Sequence, residues 1–249
     1  MRIFARRTVV ELRFKRSLKF FRNSDAAGES LAMEFSFPDW RRAAIGGLAL
    51  VSSKRFETAV LESDRVYVLG DAIDDDREAV QPSFDILARA VELLGFSEFD
   101  RIGVRQWFAL EVKGKSEEKL IKLLQAKYFN TGLFEGSLGL LVTDHACTFE
   151  FKSKEDPRVA GRVEFGAMNK EGWPLRVSVD PNFVAHFNYC DSKGVLDRLP
   201  TEFVFLDVDR SMKKSAVERP LKIENVREFI ATVRDSQANL PKQLIQDLT

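Results

Sequence analysis

Two stretches of the sequence decide the fold: YVLGDAID at residues 67–74 and FVFLDVD at residues 203–209. Each is an apolar strand pattern that ends in acidic residues, and each is followed by a helical pattern, which begins near Ser83 and Ile223. We therefore expect each stretch to end a β-meander and to lead into a helix that packs back across it. The repetition fits a duplicated sheet-plus-helix unit, and independent α+β patterning explains it equally well.

The rest of the chain predicts the same class, an α+β protein with antiparallel β-meanders and helices packed on one face. Apolar and polar residues alternate over residues 10–20 and again over residues 31–37, which predicts two strands. The turn-forming residues between them predict a hairpin. We expect a single domain over residues 1–249, or two similar lobes at 1–130 and 131–249.

Helical spacing and capping residues predict three helices in all and an amphipathic tail. The helices are expected at residues 83–94, 117–129 and 223–234, and the tail after Pro241. Period-two patterns between turn residues predict the remaining strands. They are expected at residues 56–61, 65–69, 101–112, 138–142, 148–151, 159–168, 175–180, 183–190 and 202–208.

Composition excludes several classes of protein. The 249 residues are 45% hydrophobic, and the 38 Lys and Arg balance the 38 Asp and Glu, so the formal net charge is zero. This balance argues against global attraction to nucleic acid or an anionic membrane. No stretch approaches the length of a transmembrane helix, and the charged N-terminus lacks a signal peptide's apolar region. We therefore expect a cytoplasmic protein without membrane contact, with its two cysteines as thiols.

Every histidine and cysteine of the chain falls in two short segments. His145 and Cys147 are two residues apart, and His186 and Cys190 are four apart. On strands these spacings put each pair on one face, so two facing strands would offer four ligands to Zn²⁺. The spacings differ from those of zinc ribbons and fingers, and buried structural cysteines are the alternative reading.

Acidic residues that follow strands are the second candidate for a metal site. Asp71 and Asp74 follow one strand, and Asp207 and Asp209 follow another. If they converge, they would bind Mg²⁺ for hydrolysis of phosphoesters. The alternative is that they cap turns and keep the ends of the strands soluble.

The net charge of zero conceals two oppositely charged segments. Residues 1–22 contain eight basic residues and one acidic residue, a balance of +7, and residues 57–78 contain eight acidic and two basic residues, a balance of −6. A stripe of Arg13, Lys15 and Lys19 would contact a nucleic-acid backbone. We favour the alternative, in which the two segments are neighbours whose charges pair across strands.

Arg101 and Arg105 are expected on one face of a strand with Gly103 between them. Two guanidinium groups around a bare glycine would bind a carboxylate or phosphate, or would pair with nearby acidic residues.

The same strand also carries a family resemblance. RIGVR at residues 101–105, together with LDVD at residues 206–209 before a C-terminal helix, resembles a sporadically distributed, uncharacterised bacterial protein family of about this length. The resemblance implies a bacterial cytoplasmic protein and implies no catalytic residues.

The sequence therefore favours a non-enzymatic binding or protein-interaction module without a cofactor. A protein partner or self-association is expected, because 21 phenylalanines are enough to fill a core and leave aromatic side chains on an interface. A metal-dependent hydrolase is the alternative, and a binder of nucleic-acid backbone is the third hypothesis.

Overall fold

The computed structural model describes residues 2–42, 46–52, 54–55, 57–73, 80–112, 114–128, 146–177, 199–214, 220–237 and 239–248. The strands are β1 Arg2–Arg13, β2 Asp39–Arg42, β3 Leu48–Ser52, β4 Glu57–Leu61, β5 Arg65–Ile73, β6 Arg101–Glu111, β7 Ala146–Lys152, β8 Val159–Asn169 and β9 Glu202–Lys213. The helices are α1 Leu18–Glu34, α2 Val80–Leu94, α3 Glu117–Tyr128, α4 Trp173–Arg176, α5 Ile223–Gln237 and α6 Leu240–Leu248. These elements confirm the α+β class.

The described strands form one antiparallel sheet in the order β2-β3-β4-β5-β1-β6-β9-β8-β7. β1 and β6 pair at its centre, and β5 flanks β1 as β9 flanks β6. Among the described elements, the segment from β1 to α2 and the segment from β6 to α5 both run from a strand to a helix, further strands and a second long helix, and the second segment adds the short helix α4 before β9. The stretches at 67–74 and 203–209 contribute to β5 and β9, which occupy equivalent positions on the two sides. The sequence-based division at residue 130 instead falls after α3.

The long helices cover one face of the sheet, as predicted. Ile102 and Val104 of β6 belong to the core cluster that includes α1, α2 and α5. Phe108 and Leu110 of the same strand belong to the cluster that includes α3 and α6. Because these four residues occupy alternate positions of one strand, they point to the same side, and so the five helices share that side.

The opposite face has a smaller apolar core and a charged region. Trp107 of β6 packs there with Trp173 of the short helix α4 and with Phe203 and Phe205 of β9. The rings of Trp173 and Phe203 meet edge to face, with centroids 5.7 Å apart. α4 is therefore an exception to the rule that helices lie on one face.

The predicted hairpin at residues 10–37 is wrong. β1 ends at Arg13, and α1 spans Leu18–Glu34 through most of the second predicted strand. The Ser17 side chain accepts a hydrogen bond from the backbone N–H of Lys19 at 3.2 Å, which caps the start of the helix. The buried residues of α1 then recur at intervals of one to four: Phe20, Ser24, Ala27, Gly28 and Leu31. Burial of this stripe favours a helix over the period-two alternation.

Most other elements lie where the sequence predicts them. The strands expected at 56–61, 65–69, 101–112, 148–151, 159–168 and 202–208 and the helices expected at 83–94, 117–129 and 223–234 are confirmed, as is a helical tail. The strand expected at 175–180 is wrong at its start, because Pro174 lies in the first turn of α4 and favours a helix there. The strands expected at 138–142 and 183–190 lie outside the described residues.

Candidate interaction surface

Exposed apolar side chains lie along α1 and on β2, the strand at one edge of the described sheet. Leu18, Phe21 and Met33 of α1 and Trp40 of β2 are 71%, 58%, 79% and 64% exposed. Single exposed apolar residues are ordinary on a protein surface, but four on two adjacent elements indicate a surface for contact with another molecule.

A close approach between α1 and the sheet creates this surface. Gly28 lies where α1 crosses β3, and a Cβ atom at this position would collide with the side chain of Leu48. Glycine therefore lets the helix lie low over the edge of the sheet. No described helix or strand covers the side of α1 that carries Phe21 and Met33, which are 58% and 79% exposed.

β2 forms the edge of the sheet next to α1. Among the described residues it pairs with β3 alone, and all four of its residues are exposed. Trp40 lies opposite Leu50, and Arg42 lies opposite Leu48. Both leucines belong to the core beneath the helices, so Trp40 and Arg42 face the same side as α1.

A groove of about 450 Å³ lies between α1 and β2. We call it the α1–β2 groove. Met33 and Trp40 line it, and Leu50 contributes to its apolar part. Arg42 donates hydrogen bonds from Nη1 and Nη2 to Asp25 Oδ1 and Oδ2, at 2.7 and 2.9 Å. The hydrogen bond from Arg42 lowers the pKa of Asp25, and Asp25 raises the pKa of Arg42. The groove thus combines an apolar part with a charged rim, as protein interfaces do.

The two arginines predicted to bind an anion do share one face of β6, but carboxylates of the chain already pair with them. Arg101 Nη1 donates to Glu11 Oε1 at 2.9 Å. Arg105 donates from Nε and Nη2 to the two carboxylate oxygens of Asp207, at 3.0 and 2.6 Å. Burial is the largest single effect and opposes the charge of Arg105. The hydrogen bond to Asp207 and the negative charges of Asp207, Asp209 and Glu164 together outweigh it and raise the pKa of Arg105. The bare position at Gly103 is covered by the Arg101 guanidinium, whose Nη2 would lie 3.2 Å from a Cβ atom.

The sheet does not bring the acidic candidates together. Arg7 of β1 and Trp107 of β6 lie between Asp71 of β5 and Asp207 of β9. With a spacing of about 4.8 Å between neighbouring strands, this places Asp71 and Asp207 about 14 Å apart at their backbones. Asp209 lies two residues along β9 from Asp207, and Asp74 lies outside the described residues. Within the part of the chain that the structure describes, no three metal-ligating side chains form a group.

Three of the four zinc candidates, His145, His186 and Cys190, lie outside the described residues. Cys147 lies on β7 opposite Phe165 of β8 and is half-buried. Burial raises the pKa of its thiol, which favours the uncharged form.

The predicted basic stripe is divided among three elements. Arg13, at the end of β1, donates from Nε to Glu11 Oε1 at 2.7 Å. Lys15 is exposed in the connection to α1, and Lys19 in the first turn of α1 donates from Nζ to the carbonyl of Gly95 at 3.4 Å. Lys15 and Lys19 line a cavity of about 260 Å³ together with Lys214.

The two segments of opposite charge are neighbours, as expected. β1 pairs with β5 over Ala5–Arg13 and Arg65–Ile73. Arg7 pairs with Asp71 at 2.7 Å, and Arg65 lies 3.5 Å from Glu11. The net charge of zero therefore includes local neutralisation across this strand pair.

Sequence reasoning missed the residues of the α1–β2 surface. A helix that begins after Ser17 places residues 18, 21, 25, 29 and 33 along one side. This side mixes Leu18, Phe21 and Met33 with acidic residues, a composition that a buried stripe does not have. The period-two interpretation concealed it, because it assigned residues 31–37, which include Met33, to a strand.

Comparison with models of known protein families and with curated proteins finds no match to this chain. Within the residues described, no helix has the length and hydropathy needed to cross a bilayer.

Proposed function

We propose that this protein is a non-enzymatic interaction module that binds a protein partner through the α1–β2 surface, defined by Leu18, Phe21, Met33, Trp40 and the α1–β2 groove. One observation carries the proposal. Of the five large apolar side chains that are exposed among the described residues, four belong to this surface, and the fifth, Phe149, lies on β7. Burial of such area against a partner contributes about 25 cal/mol per Å².

The type of residue also supports a protein partner. Tryptophan is enriched among the residues that contribute most to the binding energy of protein interfaces. Trp40 is 64% exposed, whereas Trp107 and Trp173 are 1% and 2% exposed in the core. The Asp25–Arg42 ion pair lies beside Trp40 at the rim of the groove, where charged residues are commonly found in interfaces.

The edge strand supplies a second means of binding. Among the described residues β2 pairs with β3 alone, so its outer side is the edge along which an added strand would pair. Because Trp40 and Arg42 face the groove, an added strand would place its alternate side chains over the same groove. A single segment of the partner would then be bound both by backbone hydrogen bonds to β2 and by burial of its apolar side chains in the groove.

The other two functions have less support. A metal-dependent phosphoesterase requires carboxylates that share an ion, and two strands separate Asp71 from Asp207. A binder of nucleic-acid backbone requires available cations, and Arg13 is paired with Glu11.

Photo-crosslinking in cells tests the proposal. A photoreactive residue in place of Met33 should form a crosslink with a protein, whereas the same residue in place of exposed Lys152 on β7 should form none. Trp40→Glu, introduced beside the probe, should abolish the Met33 crosslink by placing a charge in the apolar part of the surface. No crosslink at Met33, or equal crosslinking at Lys152, would refute the proposal.

A further inference from the structure

The sequence of β2 is suited to pair with itself. The strand reads Asp-Trp-Arg-Arg over Asp39–Arg42. Trp40 faces the helix side of the sheet, so Asp39 and Arg41 face the opposite side. Two copies of β2 that pair antiparallel at their outer edges would be related by a two-fold axis normal to the sheet, with the helices of both copies on the same side.

This symmetry restricts the register. A residue on the helix side of one copy must lie opposite a residue on the helix side of the other, because a shift by one position would put every side chain on the wrong face. The two-fold axis then passes between one residue of β2 and the same residue in the other copy of the chain. The axis therefore passes through Asp39, Trp40, Arg41 or Arg42.

Only one of these four registers avoids like charges on the axis. An axis at Asp39 would oppose two carboxylates, and an axis at Arg41 or Arg42 would oppose two guanidinium groups, which is destabilising. An axis at Trp40 places the two indole rings side by side on the helix side. It also places Asp39 of each copy opposite Arg41 of the other, so two ion pairs form on the opposite face.

We infer that the partner of the α1–β2 surface is a second copy of this chain, joined through β2 in the register that puts Trp40 on the two-fold axis. This inference rests on the proposed function and specifies the partner. The charge pattern of the strand carries it, since Asp39 and Arg41 complement each other across the axis.

The rest of the surface fits the same arrangement. In the dimer the two α1–β2 grooves meet at the axis, so each Trp40 ring lies at the mouth of the other copy's groove. Met33, which is 79% exposed, lines the groove beside Trp40 and gains apolar contact there. Trp40, which is 64% exposed, also borders the groove.

Sedimentation velocity over about a hundredfold range of concentration tests the inference with the full chain. Wild-type protein should form a dimer. Asp39→Arg puts two cations opposite each other, and Arg41→Asp puts two anions opposite each other. Each single variant should weaken the dimer about tenfold or more, because both symmetric pairs become repulsive.

Two combinations act as matched controls. The double variant Asp39→Arg/Arg41→Asp should dimerise like the wild type, because exchange of the two charges restores both ion pairs. An equimolar mixture of the two single variants should form a heterodimer, since opposite charges then face each other at every pair. A general effect on folding cannot restore assembly in this pattern.

Tryptophan fluorescence supplies a second readout. Trp40 is exposed while the other two tryptophans are buried, so a shift of emission to shorter wavelength with rising protein concentration reports burial of Trp40. Trp40→Phe should remove that shift.

The outcomes separate the inference from the proposed function. A protein that is monomeric throughout, or a dimer that is insensitive to the charge variants, overturns the inference. If the Met33 crosslink then joins a protein of different mass, and Trp40→Glu abolishes it, the proposed function stands with another partner. If Met33 also forms no crosslink, both fail.

Discussion

Arg7 and Asp71 form a bidentate ion pair across β1 and β5. Arg7 Nε donates to Asp71 Oδ1 at 2.7 Å, and Nη2 donates to Oδ2 at 2.8 Å. The third nitrogen, Nη1, donates to the carbonyl of Val177 at 3.3 Å, next to the end of α4. This guanidinium therefore links the centre of the sheet to the small core on the face opposite the long helices.

We expect Asp71→Asn to lower the free energy of unfolding by about 3 kcal/mol, because it leaves the buried Arg7 charge without its carboxylate. The side chains of Arg7 and Asp71 are only 9% and 8% exposed. Urea denaturation of both variants checks this against Asp25→Asn, which breaks the exposed pair with Arg42 and should change stability far less. Equal losses of unfolding free energy in the two variants would show that burial of the ion pair does not determine how much it stabilises the protein.

Asp209 should make the protein less stable as the pH rises. Burial raises the pKa of this carboxyl above its ordinary value of 3.8, despite the Arg101 charge nearby. In the window between the unfolded and folded pKa the folded protein binds more protons, so stability decreases with rising pH there. We therefore expect Asp209→Asn to be more stable than the wild type at pH 7, and the difference to disappear as the pH falls below 3.8.

Asp156 is the matched control for this pH dependence, with the opposite sign. The hydrogen bond from the Arg158 side chain lowers the pKa of Asp156 below 3.8. Asp156 thus contributes stability above its unfolded pKa and loses it as the pH falls through the folded pKa. Asp156→Asn should be less stable than the wild type at pH 7. In thermal melts across the acidic range, rising pH should make Asp209→Asn more stable than the wild type and Asp156→Asn less stable than the wild type.

Gly161 of β8 should not tolerate a methyl group. A Cβ atom there would collide with the Phe151 ring on β7 and with the carbonyl oxygen of Asp209 on β9. Because the backbone of β9 cannot move aside cheaply, Gly161→Ala should cost about 2 kcal/mol in chemical denaturation. Gly70→Ala is the control, since the nearest atom to its Cβ would be Ser83 Oγ at 3.9 Å. A similar loss at both glycines would contradict the close packing of β8.

Phe20 and Phe21 test the helical assignment of α1. Phe20 is completely buried and Phe21 is 58% exposed, although they are adjacent. Phe20→Ala should cost about 3–5 kcal/mol, whereas Phe21→Ala should change stability by less than about 1 kcal/mol. The two free energies of unfolding, measured side by side, would be comparable if α1 did not pack on the sheet through the Phe20 side.

Several elements could be predicted from local patterns alone. The helix that includes Phe84 and Leu87 has a wide apolar stripe, and Pro82 lies in its first turn, so its period is unambiguous. The strand from Arg101 has apolar residues on both faces, beside Arg101 and Arg105 on one of them, and it is buried along most of its length, which agrees with its position at the centre of the sheet. The α1 region carries two conflicting local patterns. Apolar residues alternate from 31 to 37 as in a strand, whereas Ser17 caps a helix that extends to Glu34.

The candidate site was less predictable than the fold. Arg101 and Arg105 share a face because strand geometry requires it, but the identity of their carboxylate partners depends on which strands lie beside β6. Trp40 shows no distinctive motif in the sequence. Its exposure follows from the position of β2 at the edge of the sheet.

The sequence by itself determined the class of the fold, the period of most elements and the separation of charge into a basic and an acidic segment, since these depend on neighbours along the chain. Only the tertiary structure decided that β1 and β5 neutralise each other through Arg7 and Asp71, and that α1 and β2 leave Met33 and Trp40 exposed. The physical reason is that strand order and helix packing join residues far apart in sequence. Asp71 lies 64 positions from Arg7 along the chain, yet it is close enough to accept its hydrogen bonds.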